Sequence, residues 1–267
     1  MVRYGMVINL ERCMGCRACM EACKVENNTP QGIFWMHVFR FEKGEYPTTR
    51  IWFAPRPCMH CNRPPCVQVC PVGATYKDDK GRVMQDPERC IGCRYCMQAC
   101  PYGVRYFNDK DPRKNYYLDW ESSIANELKP ITRDVVPPYK NPDLEKQYST
   151  GFVYVGLLRR VEGKALLAGG GHLKGVVEKC TFCLQRVERG LLPACVANCP
   201  VNALIFGDLD DPNSEVSQLL AKKPHFRLLE DMGTHPNVYY VGQMPPDEDT
   251  RTIEPIIAEG SGKEVDG

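Results

Sequence analysis

The stretch CIGCRYCMQACP, Cys90–Pro101, sets four cysteines at steps of three, three and four residues and closes on a proline. The same steps occur in CMGCRACMEAC, Cys13–Cys23. In CMHCNRPPCVQVCP, Cys58–Pro71, one gap widens to four residues, and in CTFCLQRVERGLLPACVANCP, Cys180–Pro200, it widens to eleven. These four groups use all 16 cysteines: Cys13, Cys16, Cys19 and Cys23; Cys58, Cys61, Cys66 and Cys70; Cys90, Cys93, Cys96 and Cys100; Cys180, Cys183, Cys195 and Cys199. The pattern recurs while the text between its copies varies, so what repeats is a site.

Three chemistries compete for such thiols. Disulfide frameworks belong to small secreted chains that cannot build a core, and C-x2-C pairs aim both sulfurs at a common centre, a poor geometry for a structural bridge. Zinc takes four ligands from two C-x2-C pairs, which leaves the third C-x2-C step and the x3-C-P ending unexplained. Iron and sulfide explain both: in the bacterial ferredoxin run C-x2-C-x2-C-x3-C-P, three cysteines hold one cluster and the fourth ligates the other. Cys70-Pro71, Cys100-Pro101 and Cys199-Pro200 carry that ending, and four full sets imply four [4Fe–4S] clusters. The proline fixes its own φ and removes an N–H, so the chain leaves the fourth ligand in a set direction. Cys23 is followed by Lys24 instead, which leaves the exit path from the first motif open.

Between the motifs the text reads as short ferredoxin-like elements. GATYKDDKGRVMQ, beginning at Gly73, predicts a strand at Ala74–Tyr76, a turn at DDKG and a strand at Val83–Gln85; NALIFGDLDDP, beginning at Asn202, predicts another at Ala203–Phe206. The expected fold is α+β: two bacterial-ferredoxin-like modules, each with two [4Fe–4S] clusters, short hairpins and helices, a long insertion and an extended C-terminal tail. One module takes residues 1–57 and 178–240 from both chain ends, the other residues 58–108. The insertion is 109–177 and the tail 241–267.

The bulk numbers fit a folded chain. It has 267 residues, 43% hydrophobic and 25% charged, with a net charge of +1 that gives no case for nucleic acid. The start, MVRYGMVINLERC, lacks the apolar core of a secretory signal. The longest apolar run, GFVYVGLL at Gly151–Leu158, falls well short of the ~20 residues a membrane helix needs, so membrane attachment is expected through a partner.

At MVINLERCMGCRACMEACKVENNTPQGI, CMHCNRPPCVQVCPVGATYKDDKG, CIGCRYCMQACPYGV, EKCTFCLQRVERGLLPACVANCP and FGDLDDPNSEVSQLL the chain resembles the iron–sulfur electron-transfer subunits of the complex iron–sulfur molybdoenzymes. That group includes polysulfide, tetrathionate, dimethyl sulfoxide and respiratory arsenate reductases. The resemblance covers most of the chain outside 109–177. It implies that Cys90, Cys93 and Cys96 share a cluster with Cys70, Cys58, Cys61 and Cys66 with Cys100, Cys180, Cys183 and Cys195 with Cys23, and Cys13, Cys16 and Cys19 with Cys199. It also implies a catalytic partner holding molybdenum or tungsten on a pyranopterin (molybdopterin) guanine dinucleotide. With it comes an integral membrane subunit that reacts with quinone, and a place on the outer, periplasmic face of the membrane, a cytoplasmic one being the alternative. The chain itself is read as non-catalytic. The rival readings are the corresponding subunit of a formate dehydrogenase or hydrogenase, whose relatives often end in a membrane helix that the polar tail DEDTRTIEPIIAEGSGKEVDG lacks, and a zinc-binding structural module.

Other residues carry less. Arg17, Arg63 and Arg94 lie inside motifs and would raise cluster potentials if they stood close, although surface positions are the plainer reading. Met14, Met20, Met59 and Met97 flank ligands and are read as packing. His37, His60, His172, His225 and His235 are scattered, and His60 alone lies inside a motif, as a residue supporting the ligands or at the surface. AGGGHLKG, Ala168–Gly175, lacks the order of a phosphate loop and reads as a connection. The insertion places Tyr116, Tyr117 and Trp120 before an apolar patch with Phe152, Val153, Tyr154, Leu157 and Leu158, a candidate partner contact.

Overall fold

A computed structural model of the chain describes residues 2–27, 29, 32–109 and 173–244. The first part runs β1 (Tyr4–Asn9), α1 (Ala18–Asn27), β2 (His37–Lys43), β3 (Arg50–Arg56), α2 (Pro65–Gln68), β4 (Thr75–Lys77), β5 (Val83–Gln85), α3 (Tyr95–Gln98) and β6 (Tyr106–Phe107). The second runs β7 (Val177–Glu178), α4 (Leu184–Val187), α5 (Ala194–Ala197), β8 (Leu204–Asp208), α6 (Glu215–Lys222), β9 (His225–Phe226), a 3-10 turn at Glu230–Met232 and β10 (Val238–Val241). The content is mixed α and β, as expected. The aromatic anchors and the apolar patch proposed for the insertion, His172, and residues 245–267 of the tail lie outside the described residues.

Both chain ends meet in one four-stranded sheet of order β8-β1-β10-β9. β1 runs antiparallel to β8 and parallel to β10, with Met6 opposite Phe206 on one side and Val238 on the other. A parallel pair needs a crossover, and here the crossover is nearly the whole protein. The strands alternate faces with period two. Met6, Ile8, Leu204, Val238 and Tyr240 point into the main core, while Val7, Ile205 and Val241 meet Val216 of α6 on the other side. Each such buried aliphatic side chain contributes about 1.5–3 kcal/mol by leaving water. α6 is started by Ser214, whose Oγ accepts from the Ser217 N–H at 3.3 Å, and its Glu215 and Lys222 suit the helix dipole at the two ends.

The hairpin read between the second and third motifs is β4–β5, with Thr75 opposite Gln85. The strand after the fourth motif is β8, which runs on to Asp208 because its whole length pairs with β1. A longer hairpin, β2–β3, pairs His37 with Arg56 through to Lys43 with Arg50 and was not read from the sequence. Its signal was Val38, Phe39 and Phe41 alternating with Arg40 and Glu42 before the polar EYPTT. β6 and β7 pair across the insertion, and the Asn108 N–H donates to the Val176 carbonyl at 2.9 Å, so the insertion's two flanks lie side by side. Val177, read as the insertion's last residue, therefore belongs to a strand.

Helix length follows the residue after the fourth ligand. α2, α3 and α5 are single turns that end before Cys70, Cys100 and Cys199, each of which is followed by proline. At Cys23 no proline intervenes, and α1 continues through Cys23 and Lys24 to Asn27. That settles the exit path left open above. Two motif glycines have no substitute. Gly15 and Gly92 sit at φ +71° and +69°; a Cβ would fall 2.3 Å from the Phe53 ring at the first and 2.2 Å from the Gly175 carbonyl oxygen at the second. Gly92→Ala combines a left-handed φ with a backbone collision and is expected to cost about 1–3 kcal/mol; denaturant unfolding of the iron-loaded chain that showed no loss would contradict this packing.

Candidate iron–sulfur sites

Turns and strand ends bring the sixteen sulfurs into four sets. Cys13, Cys16, Cys19 and Cys199 line one cavity, Cys58, Cys61, Cys66 and Cys100 a second, and Cys70, Cys90, Cys93 and Cys96 a third. The fourth set is Cys23, Cys180, Cys183 and Cys195, all buried, with Cys195 feeling the charges of Cys183, Cys23 and Cys180. In each set a cysteine from the end of one motif joins three from another.

The sets form a row. Cys23 and Cys195 also feel Cys19, which joins the first set to the fully buried one. Cys180 feels Cys58, and the Arg105 guanidinium is reached by both Cys66 and Cys96. The order is the Cys13 set, the Cys23 set, the Cys58 set and the Cys70 set.

Burial opposes ionisation of these thiols. Desolvation pushes Cys19, Cys61 and Cys180 up to about 12 and Cys66 and Cys183 to about 11, and holds Cys23 and Cys195 well above the ordinary thiol value. Cys70 moves the other way: burial raises it, but backbone N–H groups of Thr75, Val72 and Ala74 outweigh burial. Backbone donors recur at sulfur, from Thr75 to Cys70 at 3.5 Å, Phe182 to Cys180 at 3.4 Å and Ala203 to Cys199 at 3.2 Å, while Asn27 Nδ2 donates to Cys23 at 3.5 Å and Cys183 at 3.8 Å. Thiols this reluctant to ionise become thiolates when a metal replaces the proton.

The donor geometry fits a cluster better than one ion. Tetrahedral zinc with Zn–S near 2.3 Å draws its sulfurs to roughly 3.8 Å of one another. Among the described residues no three His, Cys, Asp or Glu side chains converge closely enough to hold a single metal ion.

Comparison with known proteins decides the matter. A 4Fe-4S dicluster domain matches residues 49–115 and 171–209, and a second 4Fe-4S dicluster domain matches 12–74. The arsenate respiratory reductase iron-sulfur subunit ArrB of Shewanella sp. is 40% identical over 245 residues, 90% of this chain and 96% of that protein. The chain belongs to the iron–sulfur electron-transfer subunits of the complex iron–sulfur molybdoenzymes. A selenate reductase subunit of Mesobacillus selenatarsenatis is 39% identical, covering 90% of this chain and 72% of its own, and the menaquinone reductase iron-sulfur cluster-binding subunit of Nitratidesulfovibrio vulgaris is 36% identical, covering 91% and 89%. The cofactors of this iron–sulfur subunit are four [4Fe–4S] clusters, two to each dicluster domain.

The residues around the sulfurs sort differently from the sequence reading. Arg17, Arg63 and Arg94 are all exposed, Arg94 lying over the Phe107 ring at 3.8 Å. The buried cations among the described residues are others: Lys179, 1% exposed with Nζ on the Cys180 carbonyl at 2.7 Å, Arg105, Arg56, and Arg82, which is paired with Asp78 and Glu188. Nothing in their local sequence marks them, because their burial comes from segments far along the chain. His60 is fully buried, stacked on Phe182 at 3.8 Å, and its Nδ1 accepts from the Val83 N–H at 3.0 Å, so it is not a surface residue. His37 is half-buried, and His225 and His235 are exposed. Met20, Met59 and Met97 pack in the core as read, whereas Met14 is 58% exposed.

Because the buried Cys23 set draws its sulfurs from both chain ends, cluster loss should loosen the central sheet. Hydrogen exchange on anaerobically prepared chain, with iron and after chelation, is expected to show β1, β8 and β10 losing protection. Equal protection in the two states would show that packing alone holds the ends together.

Proposed function

We propose that the chain conducts single electrons between a catalytic subunit holding molybdenum or tungsten on a pyranopterin guanine dinucleotide and a quinone-reactive membrane subunit. The observation that carries this is the row of sulfur sets, buried in the middle and open at both ends. At one end Cys16 is exposed beside Met14. At the other Cys93 is exposed, with Ile91 64% and Tyr95 57% accessible and Val72 beside them. The two inner sets have no exposed cysteine. Apolar rims around an accessible ligand suit docking of a partner at each terminus. The relatives, reductase subunits for arsenate and selenate and one for menaquinone, support partners of these two kinds.

In this reading Cys13, Cys16, Cys19 and Cys199 hold the cluster at one end and Cys70, Cys90, Cys93 and Cys96 the cluster at the other. Cys23, Cys180, Cys183 and Cys195, and Cys58, Cys61, Cys66 and Cys100, hold the inner two. Each bound cluster supplies one-electron redox chemistry. The protein's own part is to fix the row, exclude water from its middle and present its ends. The two modules, from both chain ends and from the middle, are the units that carry these pairs. The described flank of the insertion at Gly175 lies against Gly92 of the third motif; the partner contact proposed within the insertion lies outside the described residues. Among the described residues no helix is long and apolar enough to cross a membrane; attachment is through the partner, on the outer face.

Cys100→Ser is expected to remove or convert the cluster shared with Cys58, Cys61 and Cys66, and Cys93→Ser the one shared with Cys70. Electron paramagnetic resonance of the two variants would then show loss of different signals; loss of the same signal from both would overturn the pairing. A catalytic subunit containing molybdenum or tungsten should copurify with the tagged chain from cells grown anaerobically on the reductase's substrate class.

A further inference from the structure

Arg105 is a buried cation for which the described residues supply no carboxylate counter-ion. It stands just before β6 and is 4% exposed. Its Nη2 donates to Thr75 Oγ1 at 2.9 Å and to Gln85 Oε1, two atoms themselves 2.6 Å apart. Its Nε and Nη1 have no hydrogen-bond partner, and among the described residues no carboxylate pairs with the guanidinium. The groups around it able to supply negative charge are the sulfurs of Cys66, Cys96, Cys58 and Cys100, which become anionic as thiolates on a metal. Burying an unpaired guanidinium is strongly unfavourable, so an anion has to stand against it when the protein is assembled.

Its position says which anion. Arg105 lines the cavity of the Cys58 set, and its two anchors, Thr75 and Gln85, line the cavity of the Cys70 set. The guanidinium thus fills the wall between two neighbouring sets at the third step of the row. Arg17, Arg63 and Arg94, which lie closer to ligands in sequence, face water and are screened by it.

We infer that Arg105 is a counter-charge shared by two clusters, clamped by Thr75 and Gln85 between the Cys58 and Cys70 sets so that reduction of either is favoured by the same guanidinium. This rests on the reading that those sulfur sets hold clusters. A four-thiolate cluster gains one negative charge on reduction, and a fixed neighbouring cation in a dry wall favours the more negative form. Arginine keeps its proton at every working pH, so the bias does not switch off. One cation serving two sites also holds both potentials up together, which keeps the last transfer in the row from becoming strongly uphill in either direction.

The test is Arg105→Gln in the full chain, purified anaerobically, with iron counted and the midpoints followed by a potentiometric titration read by electron paramagnetic resonance. The expected result is four clusters, two of whose reduced-to-oxidised ratios at fixed potential fall at least tenfold, a downward shift of about 59 mV for a one-electron couple, with the other two unmoved; Arg105→Lys should restore most of the shift. Four clusters with no midpoint moved, or with all four moved alike, would overturn the role of Arg105 and leave the cluster assignment intact. Wild-type chain without four clusters would instead overturn the reading beneath it. Should Arg105→Gln fail to retain iron, Gln85→Glu, which sets a carboxylate on the guanidinium without removing it, takes its place: a fall in both midpoints supports the shared charge, and a fall in one or neither rejects it.

Discussion

The rest of this structure depends on a conflict between burial and charge at sulfur. A thiol must become a thiolate to bind iron, yet the interior that shields the sulfurs raises Cys19, Cys61 and Cys180 to about 12. The fold meets the conflict with donors. N–H groups two to five residues past a ligand turn back on Cys70, Cys180 and Cys199, and the Asn27 side chain reaches two sulfurs at once. The cation completing the balance comes with the cluster, so metal binding and folding share one free energy. Cys23 and Cys195, whose thiols burial holds well above the ordinary value, sit where β1 and β8 bring distant parts of the chain together.

What the sequence shows and hides follows from the range of the interactions. Ligand spacing is local, so C-x2-C-x2-C-x3-C is legible, as is the short hairpin at Thr75–Gln85 with its DDKG turn. The cysteine–proline rule was legible in its exception too, since the missing proline after Cys23 reappears as a helix running on to Asn27. The partners of each fourth cysteine are not local and came from family resemblance; the structure brings the same cysteines together. The β2–β3 hairpin carries its own alternation, Phe39 and Phe41 against Arg40 and Glu42, but no ligand marks it. Arg105 and Lys179 were beyond reading, since their burial is decided by segments as distant as His60 and the Thr75–Gln85 hairpin. Arg17 and Arg94 show the converse: each sits at φ near +60° at the turn before a helix, a position that shows the side chain to water.

Burial along the row divides labour. The inner sets are enclosed by the sheet face carrying Met6, Ile8 and Tyr240, by Phe182, and by Met59 and Trp35, all in one continuous core. Potentials there are set by fixed groups, because water is absent. The end sets have less protein over them, and Cys16 and Cys93 reach the surface. A partner that docks at either end removes that water, so the end potentials belong partly to the complex while the inner ones belong to the chain.

This asymmetry gives Arg105 its importance. It lies between an inner set and an end set, so its charge is felt on one side in the buried core and on the other beside ligands that reach the surface. Lys179 stands one step back, its charge reaching Cys66 and Cys180 on either side of the junction between the two inner sets. A buried cation thus stands at the junction between the two inner sets and another at the junction between an inner and an end set, and neither has a carboxylate to neutralise it among the described residues. In a core that admits so little uncompensated charge, cations at these two places are explained by the anions they stand between, and by little else the protein contains.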